Sequence, residues 1–363
     1  MARVLYFSRD YTTHDHRFLT ALSKTEHKVF FLRLEGSGPV LEYRPLPPGI
    51  EAVEWAGGKK PAKLGDGLHL LNDLRRVIRQ VKPDLIHAGP IQRAAFLAAL
   101  AGFHPLVSMS WGYDLLHDAK LNIALKWATR YTLHRSDAFV GDCDTIRNLA
   151  ISYGMQPKRI VTFPWGIDLQ HFTFQPRENP NRSPFKLLST RSWEPIYGID
   201  VIARAFSLAL KKRHDLQLTL LGGGSQYAPI RQILLVGAAF NQVTFPGQAP
   251  HSDLPAYYHQ ADLYISASHS DGTSISLLEA FATGTPAIVP DIPGNREWVI
   301  PGENGWLFPD GDAEALASAI LLAVEQRQRL PEMGRKARQL AEERADWQKN
   351  FPQLEKAYQL ALA

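Results

Sequence analysis

Cysteine is nearly absent: Cys143 is the only one in 363 residues. That excludes an internal disulfide framework and points to a reducing, cytoplasmic compartment. Long apolar runs are missing too, and no stretch approaches the ~20 residues that span a bilayer. The opening segment from Met1 to Asp10 has only a short apolar run between charges. It is too short for a signal-peptide core and suits a first β-strand. No basic-aromatic motif of the nucleic-acid-binding kind occurs, so nucleic acid is not an expected partner. What is present is the composition of a globular chain, 45% hydrophobic and 21% charged. The length suits two α/β domains rather than one.

The net charge of +4 is unevenly spread. Residues 1–165 hold 22 Lys and Arg against 15 Asp and Glu, and the remainder hold 18 against 21. A surplus of that size attracts an anionic membrane or an acidic acceptor, and it serves equally as solvated surface charge. Any membrane contact is expected to be peripheral, at the inner face, through the basic first half.

Short apolar or β-branched runs alternate with helical patterns from end to end. Strands are expected at Val4–Phe7, Lys28–Leu32, Leu85–His87, Leu106–Met109 and Ala138–Gly141. A second series is expected at Lys186–Ser189, Gln217–Leu221, Val243–Phe245, Leu263–Ser266 and Ala287–Val289. Between the runs, Leu68, Leu71, Leu74, Ile78 and Val81 keep the spacing of an amphipathic helix. Such alternation implies parallel sheets covered on both faces. The pattern restarts after a polar, Pro-rich stretch from Gln175 to Pro184, which reads as a linker. The expected architecture is two doubly wound Rossmann-like domains facing across a cleft. The first covers residues 1–170, completed by a C-terminal helix at 346–363, and the second covers 171–345. Ligands then belong beyond the carboxyl ends of the strands.

The segment from Ser266 to Pro286 carries the most chemistry. A strand gives way to a polar loop with Asp271 and Gly272, and a helix is expected to start with Thr273 or Ser274 as N-cap. Ile275, Leu278, Glu279 and Ala282 would share one face of that helix. A carboxylate amid an apolar stripe needs hydrogen-bond partners. A ribose diol would supply two donors; an Arg or a backbone amide would serve as well. The helix start suits a phosphate or sugar oxygen. Asp271 can accept from sugar hydroxyls or act as an ordinary loop carboxylate. Gly222, Gly223 and Gly224, after an expected strand, would let backbone approach a ligand or simply turn the chain.

The order Asp-Gly, Leu-Leu-Glu-Ala-Phe-Ala-Thr-Gly-Thr-Pro, then Pro-Gly-Asn-Arg-Glu-Trp and Gly-Glu-Asn-Gly-Trp-Leu-Phe resembles the retaining family 4 (group 1) glycosyltransferases of the GT-B fold. Their hallmark is two acids separated by seven residues, here Asp271 and Glu279. Val161–Asp168, Leu221–Gly224, Phe245–Gly247 and Leu254–Asp262 extend the likeness, which is good over residues 130–325 and looser before them. The resemblance implies that Glu279 binds the nucleotide's ribose and Asp271 the donor sugar's hydroxyls. Gly272, Thr273 and Ser274 would lie near sugar or phosphate, and Arg191 would contact the diphosphate. The family's Lys before Gly198 is Tyr197 here, so one phosphate-neutralising cation is missing.

In the first half, the loop after Val4–Phe7 carries His14, Asp15, His16 and Arg17 where the family often has a Gly-rich turn. Without a third separated ligand the His pair is a weak metal signal. Arg17 could touch the donor phosphates in place of the missing Lys, or stay a solvated helix-start Arg. Ser108–Asp114 resembles the family's His-Gly-x-Asp loop, with Trp111 in the His position and Asp114 near acceptor or donor sugar. Tryptophan carries no proton chemistry but offers a flat face to a sugar or lipid. His14, Asp15, Trp111 and Asp114 are therefore the expected acceptor-side residues. Asp142-Cys-Asp144 spells an Asp-x-Asp, but its place after a strand and before a helix suits capping by one of the two acids.

The implied activity is transfer of a hexosyl unit from a nucleotide sugar to a glycan or lipid-linked acceptor with retention of configuration. No metal and no cofactor are expected. The departing phosphate would act as base, with Arg191 and backbone amides stabilising the leaving group. Two rivals stand beside it. A GT-B-type hydrolase or epimerase would draw its acid and base from the His14–His16 loop. A non-catalytic nucleotide-sugar-binding subunit would explain Tyr197 and Trp111.

Overall fold

Two parallel sheets grow from the alternating pattern. The computed structural model describes residues 1–36, 44–177 and 181–363. The first sheet contains β1 (Arg3–Ser8), β2 (Lys28–Arg33), β3 (Glu51–Ala52), β4 (Leu85–Gly89), β5 (Leu106–Met109), β6 (Ala138–Gly141) and β7 (Ile160–Thr162), in the order β3-β2-β1-β4-β5-β6-β7. The second contains β8 (Phe185–Ser189), β9 (Leu216–Leu221), β10 (Val243–Gly247), β11 (Leu263–Ile265), β12 (Ala287–Pro290) and β13 (Gly305–Phe308), in the order β10-β9-β8-β11-β12-β13. In both, the chain winds outward from its first strand, turns back and winds the other way. The switch lies between β1 and β4 in one sheet and between β8 and β11 in the other, where such folds place ligands. The central strands are buried on both faces: Val4, Leu5, Tyr6 and Phe7 of β1 are all inaccessible. That is why they read as unbroken apolar runs.

The first compact unit is Met1–Phe163 plus Phe351–Ala363, and the second is Pro164–Asn350. These divisions fall a few residues from the breaks expected at 170 and 345. The helix Pro352–Leu362 packs on the first sheet through Leu354, Ala357 and Tyr358. His87 Nδ1 lies 2.8 Å from the Tyr358 hydroxyl, and His27 Nε2 lies 2.9 Å from Glu355 Oε2. The helix Gly67–Val81 buries Leu70, Leu74, Val77 and Val81 against the same sheet. Its register is shifted from the expected stripe, and Leu68 is exposed.

The Pro-rich stretch expected as the linker is not the division between units. Its residues 178–180 lie outside the described residues. The flanking ones belong to the second unit: Arg177 Nε donates to Gly284 O at 3.2 Å, and Arg182 Nε donates to Asp262 Oδ1 at 2.7 Å. The chain passes between units further upstream, at Phe163–Pro164. Just beyond it, Ile167 N bonds Ala345 O at 2.7 Å.

Candidate active site

In the second unit, the loops leaving the carboxyl ends of β8, β9 and β11 converge on Arg191. Its Nη2 is 2.9 Å from Asp271 Oδ2, and its Nη1 donates to Ser274 Oγ at 3.3 Å and Ser276 Oγ at 3.2 Å. The Tyr197 ring covers the guanidinium, 4.3 Å from centroid to carbon. Arg191 Nε–H is buried with no acceptor among the described residues. Burial opposes the Arg191 charge, and the neighbouring Asp271, Tyr264 and Tyr197 more than offset it, so the guanidinium stays protonated. Burial pushes the Asp271 carboxyl above its usual range despite that charge beside it.

Backbone geometry holds these groups in place. Gly198 ends the turn Pro195–Tyr197 at φ +59°, and a β-carbon there would sit 2.2 Å from Ala267 O. Only glycine fits so close an approach, and that approach seats Tyr197 against Arg191. Gly222 follows β9 at φ +92°, with its β-carbon position 3.0 Å from Arg191 O. Gly223 O accepts from Trp193 N at 2.9 Å and from Ser192 Oγ at 3.2 Å. Gly224 passes beside Glu194, which accepts from Ser225 N at 3.0 Å. The three expected glycines thus brace the loop that carries Arg191.

Gly272 and the buried Thr273 lead from Asp271 to Ser274, the N-cap of the helix Ile275–Ala282. The Ser274 hydroxyl makes no cap bond; it faces Arg191 and lies 3.2 Å from Ser276 Oγ. This helix has no exposed face: Ser276 to Ala282 are all buried. Glu279 is therefore enclosed rather than set on one stripe. The Tyr258 hydroxyl donates to Glu279 Oε2 at 2.8 Å and lies 3.0 Å from Thr190 Oγ1. The Tyr264 hydroxyl donates to Ser276 Oγ at 2.7 Å. Arg191, Asp271, Ser274 and Glu279 are thus joined to Thr190, Tyr258, Tyr264 and Ser276. The last four were not singled out from sequence, although Tyr258 sits inside the Leu254–Asp262 segment that carried the family likeness.

In the first unit, His14, Asp15 and Arg17 lie on the helix Thr13–Leu22. Asp15 is buried in a capping box with Thr12, whose backbone N–H it accepts at 2.8 Å, and it also receives the Tyr6 hydroxyl at 3.2 Å. The His14 ring lies 5.6 Å from that of Trp111, and the His16 ring turns away, its Nδ1 2.7 Å from the Tyr11 hydroxyl. Asp114 is buried as well. It accepts from Ser110 Oγ at 2.6 Å, Ile91 N at 2.9 Å and Trp111 N at 3.1 Å, tying the loops after β4 and β5 together. Burial raises both carboxyls to about 6. Neither acid of Asp142-Cys-Asp144 holds the N-cap expected for one of them: Cys143 takes that position of Asp144–Ser152, without a side-chain cap bond. Asp144 lies in the first turn, where its charge complements the helix dipole.

A cavity of about 670 Å³ lies at the amino ends of β1–β3, lined by Arg3, Lys28, Glu51, Trp55 and Arg76. Of the four cations that line it, three are committed: Arg3 Nε to Val81 O at 3.1 Å, Lys28 to Glu51 at 2.8 Å, Arg76 to Asp73 at 2.6 Å; the fourth, Lys59, is exposed. It is at the opposite edge of the sheet from the strand ends that hold Trp111 and Asp114.

Comparison with known proteins adds to this picture. Residues 171–340 match the profile of the glycosyl transferases group 1, and residues 12–171 match that of glycosyltransferase family 4. The GtfA subunit of a Streptococcus pneumoniae UDP-N-acetylglucosamine–peptide N-acetylglucosaminyltransferase is 30% identical over 52% of this chain and 37% of its own. Glycogen synthase of Mycobacterium tuberculosis is 27% identical over 83% of this chain and 74% of its own. The match spans only 37% of GtfA and 44% of the Erwinia amylovora amylovoran glycosyltransferase AmsK, so it covers less than half of those relatives. Among solved structures, a Thermosynechococcus elongatus sucrose-phosphate synthase superposes with a TM-score of 0.80 at 18% identity, covering 98% of both chains. Anabaena HepE in complex with UDP-glucose superposes at 0.79 and 17% identity, covering 99% of this chain and all of that one. At such identity the likeness shows the fold, which is GT-B.

Proposed function

Since the chain belongs to the group 1, family 4 glycosyltransferases, we propose that it transfers a hexosyl unit from a nucleotide sugar to a glycan or lipid-linked acceptor with retention of configuration. The observation that carries this is the Arg191 site. A buried guanidinium with one unsatisfied N–H stands beside Asp271 and two serine hydroxyls, at the carboxyl ends of β8 and β11. A diphosphate oxygen would complete its hydrogen bonds, and Asp271, released from the ion pair, would accept from the donor sugar. Glu279, held by Tyr258, is assigned to the ribose diol. Backbone at Gly272–Ser274 would meet sugar or phosphate, and Arg17 would add charge in place of the family's Lys.

His14 and Trp111 form the acceptor side. Asp15 and Asp114 serve there by fixing the loops, since each is buried in its own hydrogen bonds. The leaving phosphate takes the acceptor's proton, and growth of charge on it is where Arg191 contributes most. No divalent metal is required, because Arg191 and backbone amides carry the neutralisation. The surplus of Lys and Arg in the first half would bring the chain to an anionic membrane face. Product analysis with a panel of UDP-, GDP- and ADP-sugars and saccharide acceptors, with and without EDTA, tests this. Expected is a glycosylated acceptor that survives chelation. Free or epimerised sugar, binding without turnover, or loss of activity on chelation restored by manganese would each overturn it.

A further inference from the structure

In the first unit the short helix Ala119–Leu121 and the helix Ile123–Arg135 form an outward face of unusual composition. Ile123 is 87% exposed, and Leu121 and Trp127 are each 56% exposed. Ile123, Trp127 and Arg130 follow one another at helical spacing on the side opposite the buried Ala128, Thr129, Thr132 and Leu133. Trp127 is held in place there. It stacks on Tyr131 at 5.3 Å and 23°, and meets the edge of Phe96 at 5.8 Å. Lys120, Lys126 and Arg130 surround the apolar side chains and are exposed. None of them joins an ion pair among the described residues. From Ala119 to Ser136 the chain contains no Asp or Glu.

An exposed Trp and Ile ringed by unpaired cations lack a reason on a wholly solvated helix. Together they match an anionic bilayer surface. Trp and aliphatic side chains settle at the headgroup boundary while Lys and Arg reach lipid phosphates. We propose that this face docks unit 1 onto an anionic membrane, with Leu121, Ile123 and Trp127 entering the interface and Lys120, Lys126 and Arg130 binding headgroups. It deepens the membrane part of the proposed function and rests on no feature of the donor site. The helix Ile123–Arg135 ends just before β6 begins at Ala138. A helix that crosses back between parallel strands runs against them, so its start lies toward the carboxyl edge of the sheet, the edge that holds Trp111 and Asp114. A lipid-linked acceptor would thus be presented from the membrane to the acceptor-side loops.

The test is cosedimentation of the full chain with vesicles of phosphatidylcholine alone or with about 30% phosphatidylglycerol, at low and high salt. Nucleotide affinity is measured on the same preparations. Binding is expected only to the anionic vesicles and should weaken in salt. The pair Ile123→Ser with Trp127→Ser should lower partition about tenfold or more. The pair Lys126→Glu with Arg130→Glu should lower it about fivefold per cation removed or more. The control pair Lys211→Glu with Lys212→Glu, on the second unit, should leave it unchanged. All variants should bind nucleotide as the parent does, so a failed donor site shows separately from a failed membrane face. Absence of binding to anionic vesicles, binding by both variant pairs equal to that of the parent, or a wild-type dimer that the substitutions disperse would overturn the proposal.

Discussion

Replacing Tyr258 by Phe removes one oxygen and leaves the ring, so packing is nearly unchanged while Glu279 loses the hydroxyl that donates to it at 2.8 Å. Tyr258 is fully buried and Glu279 is 7% exposed, so water cannot easily replace the lost donor. A hydrogen bond to a charged group contributes about 1.5–3 kcal/mol, and leaving a buried acceptor short of a partner costs a similar amount. For a unit of this size each kcal/mol moves Tm by about 2–4 °C, so the transition of the second unit should fall by about 3–12 °C. The cycle with Glu279→Gln adds specificity. Gln carries no charge, so Tyr258→Phe should cost at least about 1 kcal/mol less in that background. Nucleotide affinity should fall in the single variants as the carboxylate loses its orientation. A Tm unchanged within about 1 °C, or strictly additive effects, would refute the view that Tyr258 holds Glu279 in place.

Gly198→Ala should lower Tm and weaken nucleotide binding, because φ +59° and an approach of 2.2 Å to Ala267 O force the Tyr197 turn off Arg191; about 1–3 kcal/mol comes from the backbone alone. Gly223→Ala, whose β-carbon would meet open space, is the matched control, and equal effects from the two would count against this packing. Arg191→Ala should slow turnover more than Arg17→Ala, since Arg191 is fixed by Asp271, Ser274 and Ser276; steady-state rates in the reverse order would reassign the phosphate-binding cation. Asp15 and Asp114 have folded-state pKa values raised to about 6 by burial, above the unfolded value of about 3.9. The folded state therefore binds more protons, and stability present below about pH 4 is lost as pH rises through about 6, by roughly 3 kcal/mol per group. In denaturant unfolding, Asp114→Asn should accordingly gain on wild type between those pH values, and a constant difference would contradict the shift.

The pattern of long central strands was legible because a parallel sheet covered on both faces demands apolar runs. The three strands that escaped notice are short or lie at edges. Glu51–Ala52 is exposed at both residues, and only Ile160 of Ile160–Thr162 is buried. Gly305–Phe308 was visible only as part of a family motif. Arg191, Asp271 and Glu279 were legible from spacing and likeness. What holds them was not: Tyr258 and Ser276 come close only through folding. The same holds for Asp114, whose acceptor role in backbone bonds to Ile91 and Trp111 depends on loops that are not neighbours in sequence. The Pro-rich segment misled because proline marks irregular backbone, whether or not a unit ends there.

Calorimetric titration of the full chain with UDP, GDP and ADP, alongside Arg191→Ala and Glu279→Gln, tests the donor site most directly. At least one nucleoside diphosphate should bind wild type with one site per chain. Arg191→Ala should lose most of that affinity, and Glu279→Gln should weaken it by roughly 1–3 kcal/mol, a factor of about 5 to 150. No binding of any of the three by folded wild type, or binding by both variants equal to that of wild type, would contradict the assignment of the donor to the second unit.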